Sequence, residues 1–474
     1  MNASDQRTVA LARNWMPSAC VIFSAWIVMA VFSSRCLYAD GSHEFVRVLQ
    51  AQDFVALMWS RHFAFYIYEF PLVLAIKLGV TNMSWLRFAF GLGCFLPWPA
   101  VLLCCHWISP RHFWIAIVGC AAGYLNACYM AVGEHILAHA FFWSSLFVIV
   151  FGRPLKPLAA VILLGSATAL LFSYESQFFL CVPLAGLSCW RIVEEMREQH
   201  GQPSIRSWSV LAVAGGLFFT AAGIGLYAIV KPEIPTNYVG FRTNVETMLF
   251  HRGWTMNWSL AWSGMMLAAA FSRKIWELIC GRSGIVILFF ALFLWGMAPL
   301  LAPDTLEPAR QYNNRILNLV VPLLLLPVVL IFRYRPRWME DRNVVLSQMA
   351  AIFLMTQSVW QINATWQWQR DVWRLQGILT SCRGIVPLDS TIMADSSMES
   401  WTCEFDWTWP CLSIALAPSQ KINCLVCSEL YLDPEIRKHF WQPFDPLKPE
   451  TLPNLDHYGL DFSGYAAAMR KDAD

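Results

Sequence analysis

Apolar residues fall in runs of about twenty along most of this chain, separated by short polar turns. Runs of that length match the width of a bilayer's hydrocarbon core and predict membrane-spanning helices. Eleven are expected, over 16–36, 86–106, 112–130, 136–152, 157–172, 177–190, 209–230, 257–271, 284–300, 316–332 and 344–360. A further apolar stretch, Phe70 to Val80, contains Lys77 and reaches a turn at Gly79. It is too short to span and is read as lying along or dipping into the membrane. The first run has no small-residue cleavage pattern at its end and is read as a retained anchor.

Basic residues in the short loops orient these spans. Arg7 and Arg13, Arg111, Arg153 and Lys156, Arg191 to Arg206, Arg273 to Arg282, and Arg333 to Arg342 fall in alternate loops, while the turns at Glu134 and Glu175 hold none. The positive-inside rule then puts the N-terminus in the cytoplasm. With eleven spans, residues 361–474 lie outside as a small α/β or mixed domain after the membrane domain of residues 1–360. The fold expected is an all-α polytopic membrane protein, with a long first external loop over 37–85.

Composition agrees. The chain has 474 residues, of which 57% are hydrophobic and 14% charged, against about a quarter charged in soluble domains. A net charge of +2 gives no reason to expect a nucleic-acid partner. The external tail carries Cys382, Cys403, Cys411, Cys424 and Cys427, and an oxidising compartment favours at least one disulfide among them. Cys424 and Cys427 form a lone C-x-x-C, with metal or redox chemistry as the other reading. The remaining cysteines sit mostly within spans and read as packing residues. Asn363-Ala-Thr365 is a glycosylation tripeptide on the external side.

The orientation gathers unusual polar residues at one face. Asp40, His43, Glu44, Arg47, Asp53, Arg61, His62 and Glu69 follow the first span; Glu134 and His135 stand at the next external turn, and Glu175 at the third. Arg242, Arg252, Arg310 and Arg315 occupy later external segments. Charge at membrane depth usually serves a cavity or a partner. Carboxylates can remove a proton from a hydroxyl, and arginines can hold a phosphate bidentately. Taken one by one, these residues also suit ordinary helix ends. His135 and His139, four residues apart, could contribute to a metal site, but no third ligand is evident and packing is the simpler reading.

The first loop reads "YADGSHEF…RHFAFYIYEFPLVLAIKLGVTNMSWLRFAF". An acid is followed by an aromatic-rich stretch, then Pro71 opening a short helix, Gly79, and Arg87 at the start of the next span. Over residues 16–180 this resembles the GT-C superfamily of integral-membrane glycosyltransferases, which includes aminoarabinose, arabinosyl and mannosyl transferases. The resemblance implies a sugar moved from a polyprenyl-phosphate donor to a glycan, lipid or protein acceptor at the outer face of the membrane. It implies a bacterial inner-membrane protein with a periplasmic C-terminal domain. Asp40 matches the family's catalytic acid and Glu134 the acid of its second external turn, with Glu44 beside them. Substrate-binding roles would fall to His43, Arg47, Arg61, His135, Glu175, Arg242, Arg252, Arg310 and Arg315. Many members have two adjacent acids in the first loop; here "GSH" separates Asp40 from Glu44, which leaves a divalent metal open as a cofactor. The alternative is a transporter or flippase for a lipid-linked or anionic solute, though no internal repeat is visible. A membrane acyltransferase built on His135 or His139 has no supporting motif.

Overall fold

The computed structural model describes residues 15–55, 59–124, 134–153, 155–175, 177–198, 205–231, 254–271, 294, 311–334, 336–388, 406–434, 436, 441 and 444–471. The protein is predominantly helical, and several helices are strongly apolar. Helix α1 (Trp15–Phe32) ends in a tight turn and is followed by α2 (Asp40–Ala51) and α3 (His62–Lys77). Then come α4 (Met83–Phe95), α5 (Pro97–Ile108), α6 (Phe113–Tyr124), α7 (Glu134–Phe151), α8 (Pro157–Leu171) and α9 (Gln177–Glu198). Helices α10 (Ile205–Val230), α11 (Trp254–Phe271), α12 (Gln311–Tyr334) and α13 (Pro336–Ser381) complete the bundle. The expected run at 284–300 lies outside the described residues except for Leu294.

Local chemistry explains several boundaries. The Asn82 side chain accepts from the Ser84 and Trp85 N–H groups at 2.9 and 3.2 Å, capping α4. Pro157 opens α8 at a position where a missing N–H costs nothing. Two glycines permit close helix crossings. A Cβ on Gly93 would lie 2.0 Å from the Tyr68 carbonyl of α3, and one on Gly119 would lie 2.0 Å from the Trp143 ring of α7.

Three helical stretches are long and apolar enough to cross a membrane: Trp15–Phe32, Met83–Ile108 and Ser207–Val230. They turn large apolar side chains outward, among them Val21, Val28, Phe32, Leu103, Val213 and Phe219. Water disfavours such a surface and lipid does not. Exposed indoles mark both ends of the α4–α5 rod. Trp85 and Trp107 are twenty-two residues apart, about 33 Å at helical rise, close to a bilayer's core thickness.

The contacts sort the loops into two ends. At one end Arg153 pairs with Glu194 and with Glu198, and Arg333 approaches Glu194 at 3.6 Å. The Arg191 guanidinium is buried there, donating to the Val148, Ile149 and Gly152 carbonyls at the C-terminus of α7. Those are the acceptors a helix leaves unfilled at its end. Asn343 reaches the Arg111 carbonyl at the same end. At the other end the segment entering α3 meets the turn between α8 and α9, the Phe63 N–H donating to the Phe172 carbonyl, and the C-terminal residues pack over α2.

Helix α13 is the unexpected element. Its 46 residues extend about 70 Å, over twice a bilayer core, so it runs unbroken past residue 360 to Ser381. It packs along α1. Arg35 Nη1 donates to the Thr365 hydroxyl at 2.8 Å and to the Gln361 carbonyl at 3.3 Å. The Trp26 indole also donates to Thr365, and the Trp368 indole to the Ser33 carbonyl. Thr365 is fully buried by this packing, inside a helix, so the Asn363-Ala-Thr365 tripeptide is not displayed on a loop.

Beyond Ser381, strand β1 (Gly384–Pro387) pairs in parallel with β2 (Cys424–Cys427), with Gly384 opposite Cys424 and Pro387 opposite Cys427. Helices α14 (Trp409–Leu416) and α15 (Ser463–Lys471) flank the pair. The expected disulfide is not found among the described residues: Cys382, Cys411, Cys424 and Cys427 are free thiols. The C-x-x-C pair occupies one strand. Residues three apart in a strand point to opposite faces and sit about 10 Å apart, beyond disulfide reach. Cys403 lies outside the described residues.

Arg35 offers a direct test of the α1–α13 packing. Arg35→Ala leaves buried acceptors without their charged donor and should cost about 1.5–3 kcal/mol, read as a lowered thermal midpoint in detergent. An unchanged midpoint would count against the pairing of these two helices.

Candidate functional site

The residues after the first span form two clusters at one end of the bundle. The first begins with a strained turn. The Tyr38 carbonyl accepts from the Gly41 N–H at 3.1 Å, and Ala39, second in that turn, takes φ 51 and ψ −129. That conformation normally belongs to glycine, and holding alanine in it costs on the order of 1–3 kcal/mol. The turn delivers Asp40, partly exposed, as the first residue of α2, where a helix terminus suits a negative charge.

Asp40, Glu44 and Arg47 follow at the spacing of one helical face. Only the first keeps substantial contact with solvent beside the half-buried Arg47; Glu44 is 3% exposed. The C-terminal residues form the roof. The His43 ring stacks on Phe444 at 5.5 Å and meets Trp407 edge-on at 4.9 Å, while the Arg47 guanidinium lies 5.7 Å over Phe444. The Ser42 hydroxyl donates to the Thr408 carbonyl. Burial and the Arg47 charge push the His43 imidazole down to about 3, against a smaller opposing pull from Asp40, so it is neutral at physiological pH.

Below α2 lies Glu69 of α3, 1% exposed. Its Oε2 accepts from the Val55 N–H at 2.8 Å, and among the described residues its Oε1 has no hydrogen-bond partner. Burial and the neighbouring Glu44 carboxylate push Glu69 up to about 9, outweighing Val55 and Arg47. Glu69 therefore holds a proton at neutral pH.

The second cluster joins different loops. Arg61 binds Glu175 bidentately, Nε to Oε1 at 2.9 Å and Nη2 to Oε2 at 3.1 Å, and the Ser60 hydroxyl adds a third bond. Burial alone would raise the Glu175 carboxyl, but the Arg61 charge and hydrogen bonds hold it below its usual range. Arg61 also lies 4.8 Å over the Tyr174 ring, which stands 5.5 Å from His135. These three residues expected in substrate binding thus contact one another or a shared ring. His139 is buried between Trp98 and Trp143.

Glu134 opens α7 next to His135, and Arg315 lies in α12; their side chains, like Arg242, Arg252 and Arg310 entirely, lie outside the described residues. Among the described residues no three His, Cys, Asp or Glu side chains converge as metal ligands.

Sequence reasoning named neither Glu69 nor Asp371 as a site residue. Asp371 of α13 is 4% exposed and lines a narrow cleft with Tyr38, Ala39, Trp368, Thr408 and Trp409. Its carboxylate is 3.8 Å from Arg370 Nε and from Arg374 Nη1. The cleft abuts the turn that carries Asp40. No family model, curated protein or solved structure matches the chain.

The Glu69 proton makes stability depend on pH. The folded state keeps a proton that the unfolded chain releases near 4.5, so stability falls as pH rises from about 4.5 to about 9 and levels beyond. Glu69→Gln, which cannot ionise, should flatten the thermal midpoint across that window and gain most on the wild type near pH 9. Parallel pH profiles for the two proteins would contradict the buried-acid assignment.

Proposed function

We propose that the protein is an inverting glycosyltransferase of the membrane surface, moving a sugar from a polyprenyl-phosphate donor to a hydroxyl acceptor. One observation carries the reading: a strained turn at the end of a membrane-length helix presents a partly exposed carboxylate, Asp40, beside a cleft. In this reaction the acceptor oxygen attacks the anomeric carbon as the bond to the phosphate oxygen breaks. Asp40 accepts the acceptor's proton, and polyprenyl phosphate leaves with the bonding electrons. Inversion follows from a single displacement.

The surrounding residues fit supporting roles. Arg47, on the same face of α2 two turns from Asp40, offers a guanidinium about 10 Å further along the helix. That separation suits a base at one end of a sugar and a phosphate at the other. Arg242, Arg252, Arg310 and Arg315 are further candidates for holding the phosphate. Glu44 and Glu134 are reserve carboxylates for orienting the acceptor. The Arg61–Glu175 pair contributes rigidity, tying the first loop to the turn before α9. The donor's isoprenoid tail would lie among apolar helix faces, and on this reading the Asp40 end and the C-terminal residues would face the outer side of the membrane.

Asp40→Asn preserves size and removes the proton acceptor. It should leave donor binding intact and slow transfer by about 10²–10⁴-fold. The assay is transfer of radiolabelled sugar from polyprenyl phosphate, with donor binding measured separately. Near-normal transfer would remove Asp40 as base, and normal transfer by the Asp40, Glu44 and Glu134 carboxamide variants alike would end the glycosyltransferase reading. Ala39→Gly relieves the turn and should raise stability by about 1 kcal/mol in chemical unfolding. A loss of stability would show that the turn is not strained.

A further inference from the structure

Helix α13 carries two outward indoles where a soluble surface would place polar groups. Trp366 is 56% and Trp373 54% exposed, and their rings meet edge to face at 5.9 Å. Arg370 lies between them, about one turn from each, with 42% of its side chain exposed; Arg374 follows one turn later. Asp371 sits behind the two guanidiniums, within 3.8 Å of each. Two arginines against one aspartate leave a net charge of +1. Arg374 Nη1 faces Asp371 and, among the described residues, has no hydrogen bond.

The height of this group is fixed by packing. Gln361 and Thr365 hold Arg35, and Trp368 holds the Ser33 carbonyl, just past the end of α1. Phe32, one residue earlier, is 73% exposed on a membrane-length helix. The patch therefore begins level with the edge of the hydrocarbon core and rises into the headgroup layer. Tryptophan favours that depth because its ring is apolar and its N–H is polar. Arginine there meets lipid phosphate, and basic groups beside spans attract anionic headgroups.

We propose that this face of α13 binds the phosphate headgroup of an anionic phospholipid. Arg370 and Arg374 donate to the phosphate oxygens, and Trp366 and Trp373 flank the glycerol and headgroup. The site would fix how far α13 stands out of the bilayer, and with it the height of the Asp371 cleft. It does not depend on the glycosyltransferase reading.

The test uses the full chain in nanodiscs of mixed phosphatidylglycerol and phosphatidylcholine with matched acyl chains. Native mass spectrometry counts the lipids retained on release. The wild type should retain phosphatidylglycerol preferentially. Removing charge-assisted contacts worth about 1.5–3 kcal/mol should weaken retention about tenfold or more in the Arg370→Gln/Arg374→Gln double variant. Trp366→Ala/Trp373→Ala should also reduce it. If the double variant misfolds, Arg370→Gln alone carries the test, since that side chain is well exposed. Equal retention by wild type and variant, or no preference in the wild type, overturns the proposal. A third arm adds a small fraction of polyprenyl phosphate. If it displaces phosphatidylglycerol from the wild type and binds the variant poorly, the site belongs to the isoprenoid phosphate and the phospholipid assignment fails.

Discussion

A guanidinium buried at the end of a membrane-length helix must find acceptors, because stranding a charge in a dry interior costs several kcal/mol. Arg35 finds them on α13, in the Gln361 carbonyl and the Thr365 hydroxyl, with the Trp26 ring 5.8 Å away. This contact sets the register of α1 against α13. Sliding α13 by one residue would rotate Thr365 by about 100° away from Arg35. The same register brings Tyr38 edge-on to Trp368 and puts Asp371 beside Ala39. The turn that presents Asp40 is therefore braced from the far end of the chain.

The cluster behind Asp40 obeys a second constraint. Several ionisable groups are buried under the C-terminal residues, and they cannot all be charged. His43 is neutral, Glu69 keeps its proton, and Glu44 has the Arg47 cation nearby. The charge remaining near the surface is then concentrated at Asp40 and at the partly exposed Arg47. A roof of aromatic rings suits this arrangement, since burying a neutral imidazole against Phe444 costs less desolvation than burying an imidazolium.

The apolar runs at 16–36, 157–172 and 209–230 read directly as helices because length and composition act together there. The end of α13 is harder to see in the sequence. "QINATWQWQRDVWRL" is polar on average, and a hydropathy window registers that change as a boundary. Yet Trp368, Val372, Leu375 and Leu379 keep helical spacing, and all four are buried. The helix changes environment without ending. Asp371 was hidden for the same reason, as a charge in what reads as an exterior tail. The cysteine pattern misled because spacing in sequence carries no strand geometry. Both Arg61 and Glu175 were legible as charges of one face, but nothing in either segment shows that they bind each other.

A charge near a membrane surface can serve structure as well as a ligand. Arg61 and Glu175 satisfy each other bidentately, so neither needs a ligand, and their value is to hold two loops together. Their mutual satisfaction narrows the arginines free for chemistry. Arg47 differs, because it lies on the Asp40 face, over an aromatic ring and partly in solvent. A base and a cation on one rigid helix keep their separation whatever the loops do. The proposed transfer, which takes a proton at one point and releases a phosphate at another, would use that fixed separation. Helix α2 supplies it from three residues, Asp40, Glu44 and Arg47, spaced over two turns.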